Sequence, residues 1–141
     1  MAQESSGIKA VDSLSSNEFR VELDGVEATG IFAVRGMTLY RADDMQQTSR
    51  APLVISKMVQ QDPHLPFNRW TRDTLTSPGK QVTRTLAVVA VDDGVEVRRW
   101  VYRDAWISDI ALSDFDMAQD ELIEERLTVQ YSQVEEHWPG R

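Results

Sequence analysis

Alternation of apolar and polar residues is clearest between Ala87 and Glu135, and it predicts hairpin strands followed by a long closing strand. Val82, Leu86, Val88 and Ala90 fall on alternate positions. Asp92-Asp93-Gly94 then supplies residues that tolerate positive φ, so a tight turn is expected there. Val95, Val97, Trp100 and Tyr102 share one face of the return strand only if a bulge sits near Arg98-Arg99. A tryptophan-bearing turn is expected around Trp106. Further on, Ile123, Leu127, Val129 and Tyr131 oppose Glu124, Arg126, Thr128, Gln130 and Ser132. A two-residue period of this kind marks a strand with one dry and one wet face.

The first third of the chain reads similarly. Phe19, Val21 and Leu23 alternate with Arg20, Glu22 and Asp24, and Asp24-Gly25 turns the chain into a second strand from Val26. Gly30 interrupts that strand, as at a bulge or a barrel corner. Gly36 ends it, and Met37, Leu39 and Arg41 are expected to begin a third. A polar loop to Ala51 precedes a short strand at Leu53 to Met58.

One helix is expected. Pro66 suits a first helical turn, where its missing N–H costs nothing. Phe67, Trp70 and Thr74-Leu75 recur at helical spacing, with Arg69 and Arg72 off that face. Thr76 to Lys80, with Pro78-Gly79, is a turn. The pattern predicts a mainly β, single-domain barrel or sandwich with one short flanking helix. Residues 1–17 form a serine-rich polar arm, 18–136 the β domain, and 137–141 a C-terminal tail.

Charge is distributed unevenly. The net −8 arises wholly from residues 104–141, because acidic and basic side chains cancel over residues 1–103. Such a field opposes phosphate binding, so specific nucleic-acid recognition is not expected. An acidic, solvated face serves solubility, or a wall where low adhesion is useful. With 141 residues and no cysteine, the chain can build a core without metals or disulfides, and thiol chemistry is excluded. No apolar run is long enough to span a membrane, and Met1 to Ser16 lacks the apolar core of a signal peptide. Synthesis in the cytoplasm is therefore expected, with no membrane insertion.

Candidate catalytic chemistry is sparse. His64 and His137 have no second histidine at ligand spacing. Asp114, Asp116 and Asp120 sit close enough in sequence to suggest a divalent cation, but the glycine and bidentate glutamate of an organised loop are missing. Glu124 and Glu125 point to opposite strand faces and cannot act as an acid–base couple. No phosphate loop, nucleophile elbow or zinc-protease motif occurs. Trp70, Trp100 and Trp106 lack an accompanying basic groove for base stacking, and are expected to be core anchors. Neither an enzyme nor a cofactor is expected.

Taken in order, Phe19-Arg-Val-Glu-Leu-Asp-Gly-Val-Glu-Ala, Gly30-Ile-Phe-Ala-Val-Arg-Gly36 and Val97-Arg-Arg-Trp-Val-Tyr-Arg-Asp-Ala-Trp106 resemble the T4-type tail tube protein family. Its members occur in contractile phage tails and extracellular contractile injection systems. Asp120-Glu-Leu-Ile-Glu-Glu-Arg-Leu-Thr-Val fits the family's closing strand. The resemblance covers roughly Phe19 to Glu136 and implies a tail-tube, Hcp-like β-barrel that assembles into six-subunit rings. These rings stack into a tube inside a contractile sheath, grow from a baseplate hub with a tape-measure protein, and pass cargo. The particle would be a virion or a phage-tail-like assembly.

Two surfaces follow from that implication. The loop from Gly36 to Ala51, with Tyr40, Arg41, Asp43, Asp44 and Arg50, would reach the next ring. The wet face of the last strand, with Glu124, Arg126, Thr128 and Gln130, would line the bore or join neighbouring subunits. The loop is shorter than in the family and lacks its glycines, so a tube-initiating ring at the baseplate is the second expectation. A monomeric β-barrel with a small-ligand pocket is the alternative of another class.

Overall fold

The computed structural model describes residues 12–42 and 51–139. The N-terminal arm up to Val11, the loop positions Asp43, Asp44 and Arg50, and the last two residues lie outside the described residues. Eight strands and one helix follow in order: β1 Phe19–Leu23, β2 Val26–Ala28, β3 Ile31–Arg35, β4 Leu53–Met58, α1 Pro66–Leu75, β5 Arg84–Asp92, β6 Val95–Leu112, β7 Glu124–Gln130 and β8 Gln133–His137. The fold is mainly β with one short helix, as the alternation predicts.

Every pairing is antiparallel, and the strands run in the order β2-β1-β5-β6-β7-β4-β3, with β8 also paired to β6. The sheet is open: its hydrogen bonding ends at β2 on one side and β3 on the other. Yet β2 and β3 are consecutive in the chain. Gly30, at φ 80°, joins them and moves the chain from one half of the sheet to the other, which is the corner role expected of it. Two-residue turns close β1–β2 and β5–β6. Their central residues, Asp24-Gly25 and Asp93-Gly94, all have positive φ, as a type I′ turn demands.

The spine of the fold is β6, 18 residues long. It pairs with β5 and β8 in its first half and with β7 in its second. Its register shifts three times: opposite Ala90/Val91, opposite Arg84/Leu86, and between Ile107 and Asp109. The first shift leaves Val97 as the extra residue, next to the expected Arg98-Arg99 position. The second falls at Arg103-Asp104, where Asp104 has φ 52°. Ser132 meets this bend, its N–H donating to Arg103 O at 2.9 Å and its hydroxyl to Asp104 Oδ2 at 2.8 Å. Both strands therefore bend together, and β7 and β8 are one chain run folded across that corner.

Three expectations are corrected. Trp106 lies within β6 and not in a turn. Residues 37–41 form no strand: Gly36, at φ 82°, turns the chain away from the β3–β4 ladder, and Ala42 makes only an isolated bridge. The closing strand does not run on to Ser132 but breaks after Gln130 and resumes as β8.

The core lies between the two halves of the sheet, capped by α1. Val21, Leu23, Leu53, Ile55, Phe67, Trp70, Leu86, Val88, Tyr102, Ile107, Leu127 and Val129 fill it. Phe67, Trp70 and Thr71 are the helix residues turned inward, and Trp70 Nε1 donates to Val82 O at 2.7 Å. The indole is thus buried without an orphan donor. A smaller apolar group, Ala87, Val89 and Val101, lies on the opposite face of β5 and β6.

Candidate assembly surfaces

The half-sheet formed by β3, β4, β7 and Trp106–Leu112 of β6 presents one face to the core and one to the outside. Inward positions are the paired Leu53/Val129, Ile55/Leu127 and Lys57/Glu125. Outward positions pair Val54 with Thr128, Ser56 with Arg126, and Met58 with Glu124. On β6 the outward partners are Trp106 beside Gln130, Asp109 beside Thr128, and Ala111 beside Arg126. Glu124, Arg126, Thr128 and Gln130 therefore stand in one row, as their spacing requires.

That row is polar and cross-linked. Arg35 Nη1 donates to Ser56 Oγ at 3.2 Å, Arg126 Nε to Glu124 Oε2 at 3.4 Å, and Gln130 Nε2 to Ser108 Oγ at 3.1 Å. The contacts are long and partly exposed, so each adds little to stability. They form a wetted, mixed-charge row that stands beside the outward Val54, Met58, Trp106 and Ala111.

The two edges of this half-sheet are β3 and the second half of β6. Among the described residues neither has a further strand neighbour on its outer side. Three antiparallel steps separate them, so the two edges run in opposite directions. A copy placed beside this one could then continue the ladder antiparallel, edge to edge.

The two ends of the same half-sheet differ in character. Beyond β3 lie Leu39, Tyr40 and Arg41, with Tyr40 74% exposed. At the opposite end, beyond β6 and before β7, Phe115, Met117 and Leu122 are 76%, 105% and 78% exposed. Asp114, Asp116, Asp120 and Glu121 share that second loop with no basic residue. The spacing of Asp114, Asp116 and Asp120 drew attention to a cation, whereas the exposed Phe115, Met117 and Leu122 of the same loop give no periodic signal in the sequence. Among the described residues no group of carboxylates and histidines is arranged to hold a metal.

The outer face of the other half-sheet is charged. Arg99 contacts Glu22 at 3.0 Å and Glu96 at 2.7 Å, while Arg20 contacts the same two carboxylates at 3.1 Å each. Burial pulls the Glu22 carboxyl upward, but hydrogen bonds from Arg99 and Arg20 outweigh it and leave it below its ordinary 4.5. Hydrogen bonding to Arg99 likewise lowers Glu96. This roof of ion pairs covers Ala87, Val89 and Val101.

Of the three tryptophans expected to anchor the core, Trp70 is fully buried and Trp100 is half-buried against the core, donating Nε1 to Glu136 at 2.9 Å. Trp106 departs from its expected place. Its neighbours Ala105 and Ile107 are buried, so strand alternation turns Trp106 to the outside face with Gln130. Among the described residues no helix is long and apolar enough to cross a membrane.

No protein-family model matches the chain, and no curated protein sequence does. Solved structures do. A chain of the PVC extracellular contractile injection system sheath–tube complex superposes with a TM-score of 0.71 at 13% identity, covering 96% of this chain and 99% of that one. A chain of the anti-feeding prophage cap, described as tube terminating, gives 0.71 at 14% identity, covering 94% and 99%. A chain of the six-fold symmetrised anti-feeding prophage baseplate gives 0.67 at 11%, covering 92% and 98%. At these identities the likeness is one of architecture over nearly the whole of each chain, and the protein has the fold of contractile injection system tube proteins.

Proposed function

We propose that this protein is a structural tube subunit of a contractile injection machine or phage tail. Copies close into six-subunit rings, and the rings stack into a hollow tube that a sheath surrounds and cargo traverses. The observation that carries this reading is the half-sheet with two free, oppositely directed edges and a polar row along β7 on its outward face. Two different edges, β3 of one copy against the second half of β6 of the next, make a heterologous contact, and such contacts form rings where the rotation closes. The polar row Glu124, Arg126, Thr128 and Gln130 then faces a water-filled bore. Function resides in these surfaces and in no catalytic site.

Electron microscopy of the purified protein over a concentration range, with mass measurement alongside, tests the reading. Rings of six, or tubes of them, are the expected outcome. A strict monomer at every concentration, absent from any tubular particle of its host, favours the monomeric binding module.

A second position in the same machine also has support, since the fold matches a baseplate chain as well as a sheath–tube chain. An initiator ring would be present in about six copies per particle by closed-ring symmetry. A repeating subunit would be present in many times that number. Counting copies in intact particles by quantitative mass spectrometry separates the two.

A further inference from the structure

The half-sheet has two ends as well as two edges, and its ends are unlike. One carries Leu39, Tyr40 and Arg41; the other carries the loop from Ser113 to Ile123. In this second loop Phe115, Met117 and Leu122 are almost wholly exposed, and Leu112, Met58 and Val59 beside it are about half exposed. So many exposed apolar side chains in one place mark a surface that another molecule covers.

The loop is nevertheless well tied. Ser113 N–H donates to Glu124 O at 2.9 Å, and Glu124 N–H donates back to Ser113 Oγ at 2.9 Å, which closes its base. Asp116 accepts from Ala118 N–H at 2.9 Å and its carbonyl from Gln119 N–H at 3.1 Å, which shapes its tip. Its apolar residues are held outward by a formed turn.

Charge identifies the occupant. Asp114, Asp116, Asp120 and Glu121 give the loop four negative charges and no positive one. At the opposite end Arg35 and Arg41 supply the other sign, and no acidic residue lies between Arg35 and Ala42. Arg35 and Arg41, like Arg69, Arg72 and Lys80 elsewhere, form no ion pair with a described carboxylate. Tyr40 and Leu39 offer the apolar counterpart to Phe115 and Met117. Two complementary patches at opposite ends of one sheet are the requirement for head-to-tail stacking.

We propose that the Ser113–Ile123 loop of one copy seats on the Leu39–Arg41 end of a second copy in the next ring, forming the axial contact of the tube. This rests on the stacked-ring reading above and adds to it the partner surface that meets the Gly36–Ala51 loop. The acidic surplus of the C-terminal third of the chain is then in part an interface.

Cysteine pairing tests it cleanly, because the chain has no native cysteine. Six residues of β4 separate the two ends, a span of about 17–20 Å at about 3.3 Å per residue. A disulfide needs Cα atoms within about 7 Å, so Met117→Cys with Tyr40→Cys cannot close within one subunit. Mild oxidation of assembled tubes of the double variant should yield a covalent ladder on a non-reducing gel, and neither single variant should yield one beyond dimer. Tubes visible in the same sample with only a monomer band would overturn the axial contact while leaving the tube reading intact. If the parent chain forms neither rings nor tubes, the tube reading itself fails and this contact with it.

A second variant reads assembly directly. Asp114→Lys with Asp120→Lys and Glu121→Lys reverses the loop's charge and spares the turn-forming Asp116. Closed rings that no longer stack are the expected result. Tubes of unchanged length overturn the proposal, and loss of rings along with tubes assigns the loop to ring closure instead.

Discussion

Lys57 Nζ lies 3.0 Å from Glu125 Oε1, directly across the β4–β7 ladder, with the lysine side chain fully buried. The ammonium also donates to Met58 O at 2.8 Å and to Asn68 Oδ1 at 3.4 Å. All three of its donors are thus used, by β4, α1 and β7, and the ion pair ties the helix to the half-sheet that carries the polar row. Removing one partner of a buried pair strands the other charge, at a cost of about 3–5 kcal/mol. Glu125→Ala should therefore fall near the lower end of that range in urea unfolding, since Glu125 keeps some access to solvent. Combining Lys57→Met with Glu125→Leu should recover most of the loss. A double variant no more stable than Glu125→Ala would show that the pair is not acting as a unit.

The tryptophans should separate by position. Trp70 is fully buried and hydrogen-bonded, so Trp70→Ala is expected to cost about 3–5 kcal/mol. Trp106 lies on the outer face and is only partly exposed, so Trp106→Ala should cost the isolated subunit clearly less than Trp70→Ala. Its loss should be felt in ring formation instead, because Trp106 sits on the free edge half of β6. Equal thermal shifts for the two variants would contradict this placement.

Those tryptophans also show what the sequence could and could not reveal. Trp70 belongs to a ten-residue helix whose Pro66 start and Phe67/Trp70 spacing are local signals; the inward face continues at Thr71, while Leu75, expected on it, is 70% exposed. The I′ turns at Asp24-Gly25 and Asp93-Gly94, the corner at Gly30 and the alternation of β7 were readable for the same reason. Trp106 was misplaced because β6 carries three bulges in 18 residues, and each inverts the two-residue period on which the reading depends. A strand interrupted in this way looks like two strands and a turn. Met37–Arg41 failed differently. It alternates like a strand, but Gly36 directs it away from any partner, and pairing is a tertiary fact that composition does not carry. The outward row on β7 was visible in the sequence. The free edges and the unlike ends of the half-sheet required the topology.

Stability should decline in acid through the Arg20, Glu22, Glu96 and Arg99 cluster. Both carboxyls are held below the ordinary 4.5 in the folded chain, so the unfolded chain takes up protons first. Their contribution is fully present above that value and is lost as pH falls through the depressed folded values. Unfolding free energy measured from about pH 6 down to about pH 3 should fall more steeply in the parent than in Glu22→Gln/Glu96→Gln. Parallel curves would place the acid sensitivity elsewhere.

Gly36 ends β3 with φ 82°, and a β-carbon there would lie 2.7 Å from Pro52 O. Both backbone conformation and space exclude a side chain. Gly36→Ala is expected to destabilise the subunit by about 1–3 kcal/mol, seen as a lower urea midpoint at unchanged slope. Gly30→Ala meets mainly the movable end of the Gln60 side chain, so its penalty should be smaller, coming from φ alone. A larger loss at Gly30 would mean that the corner, and not the loop base, is the less forgiving site.

The Gly36–Ala51 loop should be dispensable for folding and required for stacking. The β3–β4 ladder below it pairs Val34 with Ile55 and Arg35 with Val54, and Met37 packs against the core. A Gly-Ser segment in place of residues 38–50, with Gly36 and Met37 kept, preserves the positive φ, that packing and the span back to β4. The entropy of a flexible loop of unchanged length changes little, so the thermal midpoint should stay close to the parent's. Tyr40 and Arg41 are lost in that variant, together with the apolar and cationic features that the acidic loop of a neighbouring copy would meet. Closed rings without tubes are therefore expected by electron microscopy. Tubes as long as the parent's would remove this loop from the axial contact and move the search to the rims of the opposite half-sheet.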